Sequence, residues 1–531
     1  MRKKSIASVA LIFLYAHLFG QNFNDFIPDH PPVVPAWAFH PWVWEDSINT
    51  REGALKLIRL YREHNIPVGA IIIDSPWSTA YNNFEWDTNR YPDPQGMIDE
   101  MHGQGIRVVM WLTGFINSRS KDVPVQKSSD YEYVIQYHLV VDDGKETEWW
   151  KGKGVHIDFT NPAAVKWFDQ KLDKILDMHI DGFKIDGGSA ALNKFEVRTS
   201  IGKMRSEQFG KYYYDSVAAY GMRRNPEFVN MARGYSYQGG SMSGIEFLQT
   251  TFQGDFSGNW TGLKHQIDNT YKTARLGYGA PGFEIGGFMD EASSKKQFVR
   301  YAQFGSMCPV MDNGGGNGAF SFHLPWFHGQ EIAGIYRYYA TLHTELAPYL
   351  FSASVDAHLK GESVIRNTSF ANESHQLGQW IFVQAITSEN DAIDIRLPSE
   401  GNWVDYWTGE VYKAGSMLKK REYPLAKFPV FIRSGAVIPM NVSNDITGHG
   451  NINSKGKQTI VIYPRGTTEY TYHRPRGSGV EYDDVDIRVD AQGRSISVDS
   501  DVEDNYIFLI HTKGRGFDKI EKSGKRFTVH Y

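Results

Sequence analysis

The sequence predicts an α/β fold in which a (β/α)8 TIM barrel is followed by two C-terminal antiparallel β-sandwich domains. Between Ala36 and Ala340, short apolar runs alternate with amphipathic stretches of helical period, a pattern typical of buried parallel strands joined by crossover helices. Eight such runs occur within about 300 residues, which suits a barrel of this kind. After Pro348 the helical pattern gives way to short strand-like runs separated by Gly, Asn, Ser and Pro. A doubly wound parallel sheet is the structural alternative for the first part.

The predicted barrel elements follow one another in a regular order. The strands are expected at residues 36–39, 68–74, 107–112, 182–186, 228–233, 248–253, 283–285 and 308–311. The helices are expected at residues 51–64, 97–104, 161–179, 207–223, 262–276 and 295–301, and a helix at 329–346 is expected to close the barrel.

Four segments are predicted along the chain. They are a signal peptide at residues 1–20, the barrel at 31–346, a proximal β-sandwich at 347–440 and a distal β-domain at 441–531. Residues 441–457, rich in Asn, Gly and Ser, are the expected linker into the distal domain.

The N-terminal segment has the pattern of an export signal. Arg2, Lys3 and Lys4 precede a mostly apolar stretch at residues 6–19. That stretch is shorter than the roughly 20 residues that a membrane span needs. We therefore expect a periplasmic or secreted protein with no stable membrane span in its mature form, and a retained N-terminal anchor is the alternative.

Composition excludes several classes of function. Lys and Arg number 56 and Asp and Glu 61, and no basic run is interleaved with aromatic residues, which argues against a nucleic-acid partner. The single cysteine, Cys308, excludes a disulfide framework and a zinc site built from several cysteines. The 18 histidines include no HExxH spacing, so neither a metal nor another cofactor is expected.

Aromatic residues are abundant, at 14% of the chain. This content suits a protein that stacks flat, neutral, polar ligands such as sugars, and a large aromatic core is the alternative. The stacking candidates are Trp77, Trp111, Trp260 and Trp326, with barrel packing as the other interpretation of each. Trp111 leads them because it lies at the end of a predicted strand.

Charged and polar side chains follow the predicted strands at the end where a barrel of this type builds its active site. These residues are Asp74, Lys184, Asp186, Arg233, Asp255, Asp312 and Asn313. Packing alone would not place charges at successive strand ends. Their convergence therefore predicts a catalytic or binding mouth, although any single acid has a helix cap or a salt bridge as its alternative role.

Two carboxylates across a mouth rich in tryptophan are what glycoside hydrolysis requires. Asp186 would act in its ionised form, which the positive charge of Lys184 or Arg233 favours. Asp255 would act as a protonated acid. We expect Phe252, Phe256 and Trp260 to surround it with apolar surface that favours the neutral form.

Several linked motifs follow one another along the chain. In order, they are IPVGAIIIDSPW, FEWDTNRYPDPQGMIDEMHGQGIRVVMWL, GFKIDGG, ARGYSYQGG, QGDFSGNWTGLKHQI, FEIGGF, QFVRYAQFGSMCPVM and FPVFIRSGAVIPM. Together they resemble glycoside hydrolase family 31, the retaining α-glycosidases that include α-glucosidases, α-xylosidases and some α-galactosidases. The resemblance extends from about residue 36 to residue 440.

The resemblance implies roles for individual residues. It makes Asp186 the nucleophile and Asp255 the acid/base, and it gives Arg233 and Asp74 contacts with hydroxyls of the bound sugar. It also implies retention of configuration through a covalent glycosyl-enzyme, for which the two carboxyl groups lie about 5–5.5 Å apart.

The chain departs from the family pattern after the eighth strand. The family's arginine-x-histidine is replaced by Met311, Asp312 and Asn313. A glycine run follows at 314–316, and it either contributes to the site or is a loop without contacts. Lys184, two residues before the nucleophile, is similar to the α-xylosidase branch and to related α-galactosidases. The resulting hypothesis is an exported retaining α-glycosidase that acts on oligosaccharides or glycosides with a terminal α-linked hexose. An α-galactoside ranks slightly ahead of an α-glucoside, and the alternatives are an α-transglycosylase and a catalytically silent carbohydrate-binding relative.

Overall fold

The computed structural model describes residues 29–47, 49–235, 242–289, 292–315, 323–512, 514 and 516–531. The predicted signal peptide lies outside the described residues, as does Gly316 of the glycine run. Within the described residues, no helix is both long enough and apolar enough to cross a membrane.

Eight parallel strands close into a barrel, which confirms the predicted fold class. They are β1 (Trp42–Trp44), β2 (Ala70–Ile73), β3 (Arg107–Leu112), β4 (Gly182–Ile185), β5 (Val229–Arg233), β6 (Thr250–Phe252), β7 (Ala280–Ile285) and β8 (Val310–Asn313). The strands neighbour one another in chain order, and β1 closes the ring by pairing with both β2 and β8.

The long helices lie where the amphipathic stretches predict them, except for the last one. Residues 347–360, predicted as the start of the proximal β-sandwich, form a helix instead. The helices are α1 (Arg51–Glu63), α2 (Pro94–Gly103), α3 (Pro162–Leu176), α4 (Ser206–Arg224), α5 (Trp260–Arg275), α6 (Lys295–Gly305), α7 (Gln330–Glu345) and α8 (Ala347–Lys360). Polar caps set several of the starts, because a side-chain oxygen satisfies a backbone N–H that the first turn leaves unpaired. Thr50, Asn161, Asn259 and Ser294 accept such bonds at α1, α3, α5 and α6.

The first strand is not where the sequence predicts it. Residues 36–39 form a short 3-10 helix, Ala36–Phe39, and β1 begins three residues later. The backbone N–H groups of Ala36 and Trp37 donate to the carbonyls of Gly479 and Ser478 in a turn of the distal domain. These N–H groups are therefore used by a partner distant in the sequence, which the apolar pattern of residues 36–39 does not reveal.

Alternation along each strand decides which side chains enter the barrel. On β4, Phe183 and Ile185 pack in the layer between strands and helices, whereas Lys184 contacts Trp44 inside the barrel. On β8, Asn313 donates to the Tyr61 hydroxyl on α1 and so faces outward. Its neighbour on the strand, Asp312, therefore faces the interior.

Smaller elements fill the connections. After β3, the strands Phe115–Ser120, Thr147–Trp149 and Gly152–His156 form a small antiparallel sheet, together with the helix Tyr131–Gln136 and the 3-10 turn Asp142–Gly144. After β4 come the helix Gly188–Leu192 and a hairpin of Glu196–Thr199 with Gly202–Arg205. Further 3-10 turns are Ile245–Phe247, Pro325–His328 and Ile452–Ser454.

The rest of the chain forms β-sheets. The strands are β9 (Ile365–Ser369), β10 (Ser374–Leu377), β11 (Ile381–Gln384), β12 (Ala392–Arg396), β13 (Trp403–Asp405), β14 (Val411–Tyr412), β15 (Met417–Glu422), β16 (Val430–Arg433), β17 (Val437–Met440), β18 (Gln458–Ile462), β19 (Thr467–Pro475), β20 (Tyr482–Asp490), β21 (Ser495–His511) and β22 (Phe517–His530). The proximal part has a sheet in the order β9-β10-β11-β16-β13-β14 and a separate pair β12-β15. The distal sheet has the order β17-β18-β21-β20-β19, and β22 also pairs with β21.

Two details of the distal sheet differ from the simple expectation. Strand β17 ends at Met440, within the predicted proximal domain, yet it pairs with β18 of the distal sheet. The pairing of β18 with β21 is parallel, so this sheet is mixed rather than wholly antiparallel.

Candidate active site

Asp186 directly follows β4 and is held from several sides. Its backbone N–H donates to the carbonyl of Leu112 over 3.0 Å, and its own carbonyl accepts from the Tyr213 hydroxyl over 2.8 Å. Its Oδ2 accepts from Trp111 Nε1 over 3.2 Å, and its Oδ1 accepts from the Gly187 N–H over 2.8 Å. These donors, one on each oxygen, fix the direction of the carboxyl group.

Arg233, the last residue of β5, connects the two candidate catalytic acids. Its Nε lies 3.9 Å from Asp186 Oδ1, and its Nη2 lies 3.4 Å from Asp255 Oδ1. The guanidinium group rests on the Phe252 ring, 4.6 Å from the ring centre. The ends of β4, β5 and β6 thus bring both carboxylates to one positive charge, as the strand-end pattern predicts.

The surroundings of Asp255 differ from the prediction. Its side chain is 49% exposed, so the expected apolar enclosure is not observed. Phe252 lies beneath Arg233 instead, and Trp260 Nε1 donates to Glu389 Oε1 of the proximal domain over 2.8 Å. The pattern of aromatic residues showed their proximity in sequence but not the directions of their side chains.

A buried ion pair lies deeper in the barrel. Lys184 Nζ is 2.9 Å from Asp74 Oδ2, and each side chain is only 7% exposed. The ammonium group also lies 3.6 Å from the centre of the Trp44 ring. Burial opposes the charge on Lys184, but Asp74 and then Glu284 hold the pKa of Lys184 above its ordinary value.

Two further acids lie at the floor of the barrel. Glu284 on β7 is in register with Asp312 on β8, and their side chains are 6% and 1% exposed. Burial raises the pKa of Glu284 to about 7. Burial, followed by the charge of Glu284, raises the pKa of Asp312 to about 8. The backbone N–H of Asn313 opposes this rise, and the Asp312 carboxyl group has no side-chain hydrogen-bond partner in the part of the chain that the structure describes.

Two family models match the chain over this architecture. Residues 31–353 match the TIM-barrel domain of glycosyl hydrolases family 31, and residues 348–438 match the C-terminal domain of the same family. The chain belongs to glycoside hydrolase family 31. Members of this family are glycoside hydrolases that act on O-glycosyl bonds.

Relatives of this family 31 chain carry several names. An isomaltosyltransferase of Sporosarcina globispora is 23% identical, over 89% of this chain and 48% of the relative. An α-xylosidase of Lactiplantibacillus pentosus is 25% identical, over 84% of this chain and 61% of the relative. The structure of a family 31 dextranase mutant of Flavobacterium johnsoniae, complexed with isomaltotriose, has a TM-score of 0.80 at 19% identity, over 91% of this chain and 64% of that chain. The family 31 chain therefore spans about half to two thirds of these relatives' lengths, and the structural likeness shows the fold.

Several predicted site residues of the family 31 chain lie behind the barrel wall. Trp77 is 1% exposed, and its Nε1 donates to the backbone carbonyl of Trp111 over 2.8 Å. Asn313 faces α1, as described above. Trp326 packs against Tyr61, with ring centres 5.0 Å apart. In these three cases the structure places packing or positioning contacts where the prediction expects contact with sugar.

Three residues at the mouth of the barrel were not predicted, because the sequence analysis placed the first strand at 36–39 instead of 42–44. Trp44 ends β1 and lies beneath the Lys184 ammonium, and Glu45 and Asp46 follow it. Glu45 Oε2 lies 3.1 Å from His323 Nε2. Burial and then the charge of Asp74 raise the pKa of Asp46 to about 7. Asp74 and Asp186 were selected because they directly follow a barrel strand. With the first strand at 42–44, the same criterion selects Glu45 and Asp46.

Gly314 has a definite packing role in the family 31 chain. A Cβ atom at this position would overlap the indole of Trp44. The part of the glycine run that the structure describes is therefore not a loop without contacts, because the first glycine lets the chain after β8 pass against the ring below Lys184.

A cavity of about 720 Å³ lies at the other end of the barrel, between the N-terminal ends of β2 and β3 and the distal sheet. Its lining includes Arg107, Lys457 and Arg474, which already pair with Asp181, Glu521 and Asp483 respectively. It contains neither of the paired catalytic candidates. Across the described ranges, no group of three or more His, Cys, Asp or Glu side chains is placed to hold a metal ion.

Proposed function

We propose that this family 31 chain is a retaining α-glycosidase that removes a terminal α-linked sugar by double displacement. The observation that carries the proposal is the contact of Asp186 and Asp255 with the same guanidinium group of Arg233 at the barrel mouth. A catalytically silent carbohydrate-binding relative would have no need to retain both carboxylates around one cation.

The geometry suits Asp186 as the nucleophile. The N–H groups of Trp111 and Gly187 hold its oxygens, and the Asp186 carboxylate would attack C1 of the sugar. A new Oδ–C1 bond forms while the glycosidic C1–O bond breaks, and Asp255 gives its proton to the departing oxygen. In the second step Asp255 removes a proton from water, whose oxygen displaces Asp186 from C1 with net retention.

Arg233 would coordinate the two roles. Its guanidinium group lies against both carboxyl groups and so fixes their relative positions. The half-exposed Asp255 faces solvent, with which the leaving group and water exchange. When Asp186 becomes an ester, its negative charge disappears from the neighbourhood of Arg233, and the guanidinium group then lies against Asp255 alone.

The sugar is the finer part of the proposal. On the sequence alone, Lys184 and the replacement of the family's histidine rank an α-galactoside slightly ahead of an α-glucoside. The names of the relatives described above refer instead to isomaltosyl, xyloside and dextran chemistry. We therefore favour a terminal α-linked glucosyl residue, with xylosyl next and galactosyl third.

A panel of p-nitrophenyl α-glycosides tests both the activity and the sugar. It contains the glucoside, galactoside, xyloside and N-acetylgalactosaminide, with the β-glucoside as the matched anomer. We expect release of nitrophenol from at least one α-anomer and none from the β-anomer. Cleavage of the β-anomer alone would overturn the proposal.

The nucleophile is tested with Asp186→Ala in the presence of azide. We expect the variant to be inactive on the preferred glycoside and azide to restore turnover as a glycosyl azide of inverted configuration, since azide replaces the missing carboxylate. Full activity without azide would exclude Asp186. Asp169→Ala, which removes an acid of α3 paired with Arg223, is the control and should keep its activity.

An α-transglycosylase is the second candidate, favoured by the isomaltosyltransferase relative. It differs from a hydrolase only in what attacks the glycosyl-enzyme. The ratio of transfer product to free sugar, measured with rising concentrations of a maltose or isomaltose acceptor, separates the two.

Export is a separate proposal that rests on the basic and apolar pattern of residues 2–19. Expression of the full chain in a Gram-negative host, followed by fractionation and N-terminal sequencing, tests it. A cytoplasmic product that still begins at Met1 would overturn it.

A further inference from the structure

A second cavity, of about 350 Å³, lies where the barrel, the proximal domain and the distal domain meet. All three contribute to its lining, through Tyr338 on α7, Asp405 at the end of β13 and Tyr463 directly after β18. Residues 445–449 form a further wall. Small-molecule sites of proteins commonly have volumes of about 300–1,000 Å³ and often lie between domains. The size and the place of this cavity therefore suit a small ligand.

The wall at residues 445–449 is held by specific hydrogen bonds. It belongs to the stretch rich in Asn, Gly and Ser that the sequence predicts as a linker. The Thr447 hydroxyl donates to Oε2 of Glu345, the last residue of α7, over 2.6 Å, and His449 Nδ1 donates to the same oxygen over 3.3 Å. The two bonds fix this segment against the barrel and orient the His449 ring.

Two buried residues of the lining have a polar atom without a protein partner. Asp405 is 2% exposed, and its Oδ1 accepts from the backbone N–H groups of Trp407 and Thr408 over 2.8 and 2.9 Å. Its Oδ2 accepts no hydrogen bond from the described residues. His449 is 5% exposed, and its Nε2 has no partner in the same part of the chain. Such atoms are normally satisfied by water or by a ligand.

Aromatic rings supply the apolar part of the lining. Tyr463 and His511 stack, with ring centres 4.6 Å apart and an angle of 22° between their planes. Phe517 packs against both rings at steep angles, 87° to Tyr463 and 73° to His511. The hydroxyl groups of Tyr338 and Tyr406, also in the lining, lie 3.0 Å apart. Rings next to hydroxyl groups suit a ligand that has both an apolar face and polar edges, as a pyranose does.

The charges around the cavity disfavour an anionic ligand. Asp405 and Asp445 belong to the lining, Glu345 lies behind it, and no Lys or Arg is among the described residues that line it. Burial lowers the pKa of His511, so this ring is uncharged at neutral pH. A phosphate or carboxylate group would be repelled here. The hydroxyl groups of a neutral sugar, in contrast, can bond to Asp405 Oδ2 and His449 Nε2.

We propose that this cavity is a second, non-catalytic sugar site that binds a neutral pyranose unit of an oligosaccharide. The inference goes beyond the proposed function, because it does not depend on cleavage at the barrel mouth. The family of the chain acts on O-glycosyl bonds, so oligosaccharides are the neutral polar ligands that it meets. In the site, sugar hydroxyl groups bond to Asp405 Oδ2 and His449 Nε2, and the C–H groups of the pyranose ring pack against the aromatic lining.

An organic cation is the alternative ligand, because acids and aromatic rings also bind ammonium groups. Two observations favour the sugar. A quaternary ammonium group has no N–H and leaves His449 Nε2 unbonded. The stacked rings of Tyr463 and His511 are nearly parallel, whereas an aromatic cage places its rings around a central cation.

Two variants remove different parts of the site. Asp405→Asn keeps Oδ1 for the turn that follows β13 and replaces the acceptor Oδ2 with an NH2 group, and His511→Leu replaces a ring with an aliphatic side chain. The matched controls lie outside the lining. Asp394→Asn changes an exposed aspartate of β12 whose Oδ1 also accepts a backbone N–H, over 2.8 Å, and His530→Leu changes an exposed histidine of β22. Circular dichroism checks that each variant is folded.

The experiment is isothermal titration calorimetry of the full chain in the Asp186→Ala background, which prevents cleavage. The titrants are isomaltotriose, which ends in an α-glucosyl unit, and raffinose, which ends in an α-galactosyl unit. We expect at least one of them to bind at two sites per chain, the barrel mouth and the cavity. Asp405→Asn and His511→Leu should each weaken the cavity site at least about tenfold, which corresponds to about 1.4 kcal/mol, and the controls should not. Unchanged stoichiometry and affinity in both cavity variants would overturn the inference.

The same titrations separate the two ligand classes and the two sites. Choline is the probe for an organic cation, and a cavity that binds choline but neither sugar would overturn the assignment to sugar. If one sugar molecule binds and the cavity variants weaken it, while the wild type cleaves no α-glycoside, only the proposed function is overturned. If an α-glycoside is cleaved and neither cavity variant changes sugar binding, only the second site is overturned.

Discussion

The ammonium group of Lys184 and the carboxylate of Asp74 form an ion pair across the barrel interior, 2.9 Å apart and almost fully buried. The pair joins β4, which leads to Asp186, with β2. Trp44 supports it from below, with its ring centre 3.6 Å from the Lys184 nitrogen. The two strands that bear the candidate nucleophile and a candidate sugar ligand are thus connected by one buried charge contact.

Removal of the Lys184 charge should be costly. Lys184→Met leaves Asp74, Glu284 and Asp312 without their shared cation, and we expect a loss of about 3–5 kcal/mol in the free energy of unfolding, as for other broken buried pairs. Urea denaturation followed by tryptophan fluorescence measures it. Asp74→Asn in the Lys184→Met background should recover part of the loss, and a single variant as stable as the wild type would contradict the argument.

Trp111 should act on the nucleophile through one hydrogen bond. Trp111→Phe keeps an aromatic ring but removes the N–H that lies 3.2 Å from Asp186 Oδ2. We expect kcat on a p-nitrophenyl α-glycoside to fall by a factor of about 10 to 100, because a hydrogen bond to a charged group contributes about 1.5–3 kcal/mol. Trp150→Phe changes a tryptophan that is 44% exposed and serves as the control. Equal kcat values for the two variants would be inconsistent with this role.

Gly314 should tolerate no side chain. In Gly314→Ala the new methyl group overlaps the Trp44 indole, so the ring or the chain after β8 must move and the Lys184–Asp74 pair is disturbed. We expect a loss of about 1–3 kcal/mol in stability and a lower kcat/KM. Gly334→Ala is the matched control, since no atom lies within 4 Å of its Cβ position in α7. It should stabilise the helix by about 0.5–1 kcal/mol.

Arg300 should hold the barrel against the proximal β-domain. It lies on α6 with its side chain 1% exposed, and it donates to Asp391 Oδ1 and to the Lys427 carbonyl, each over 2.6 Å. We expect Arg300→Met to lower stability by about 2 kcal/mol or more, because the buried acceptors Gln303 Oε1 and the Tyr423 carbonyl also lose their donor. Calorimetry should show it as a lower or divided transition. Arg119→Met, which breaks the exposed pair with Glu148, should change little.

Much of the barrel could be predicted from the sequence because its signals are local. Runs such as 108–112 are uniformly apolar, and Thr50, Asn161, Asn259 and Ser294 cap the first turns of the helices that follow them. The approach of Asp186, Arg233 and Asp255 also followed from sequence, since the carboxyl ends of parallel barrel strands lie at one face.

The directions of individual side chains could not be predicted in the same way. An apolar run shows that a strand is buried on both faces but not which of its residues point inward. Trp77 and Asn313 were therefore assigned to the mouth although they pack outside it, and Glu284 was missed although it lies inside. The first strand was misplaced because residues 36–39 are as apolar as the true strand.

The sequence by itself determined the order of strands and helices, the family and the acids at the strand ends, because these depend on patterns within one segment. Only the tertiary structure decided that Lys184 binds Asp74, that Arg233 contacts both Asp186 and Asp255, and that Glu284 and Asp312 lie buried side by side on neighbouring strands. Each of these contacts joins residues from different strands. Their distances depend on the closure and register of the whole barrel, which no single segment encodes.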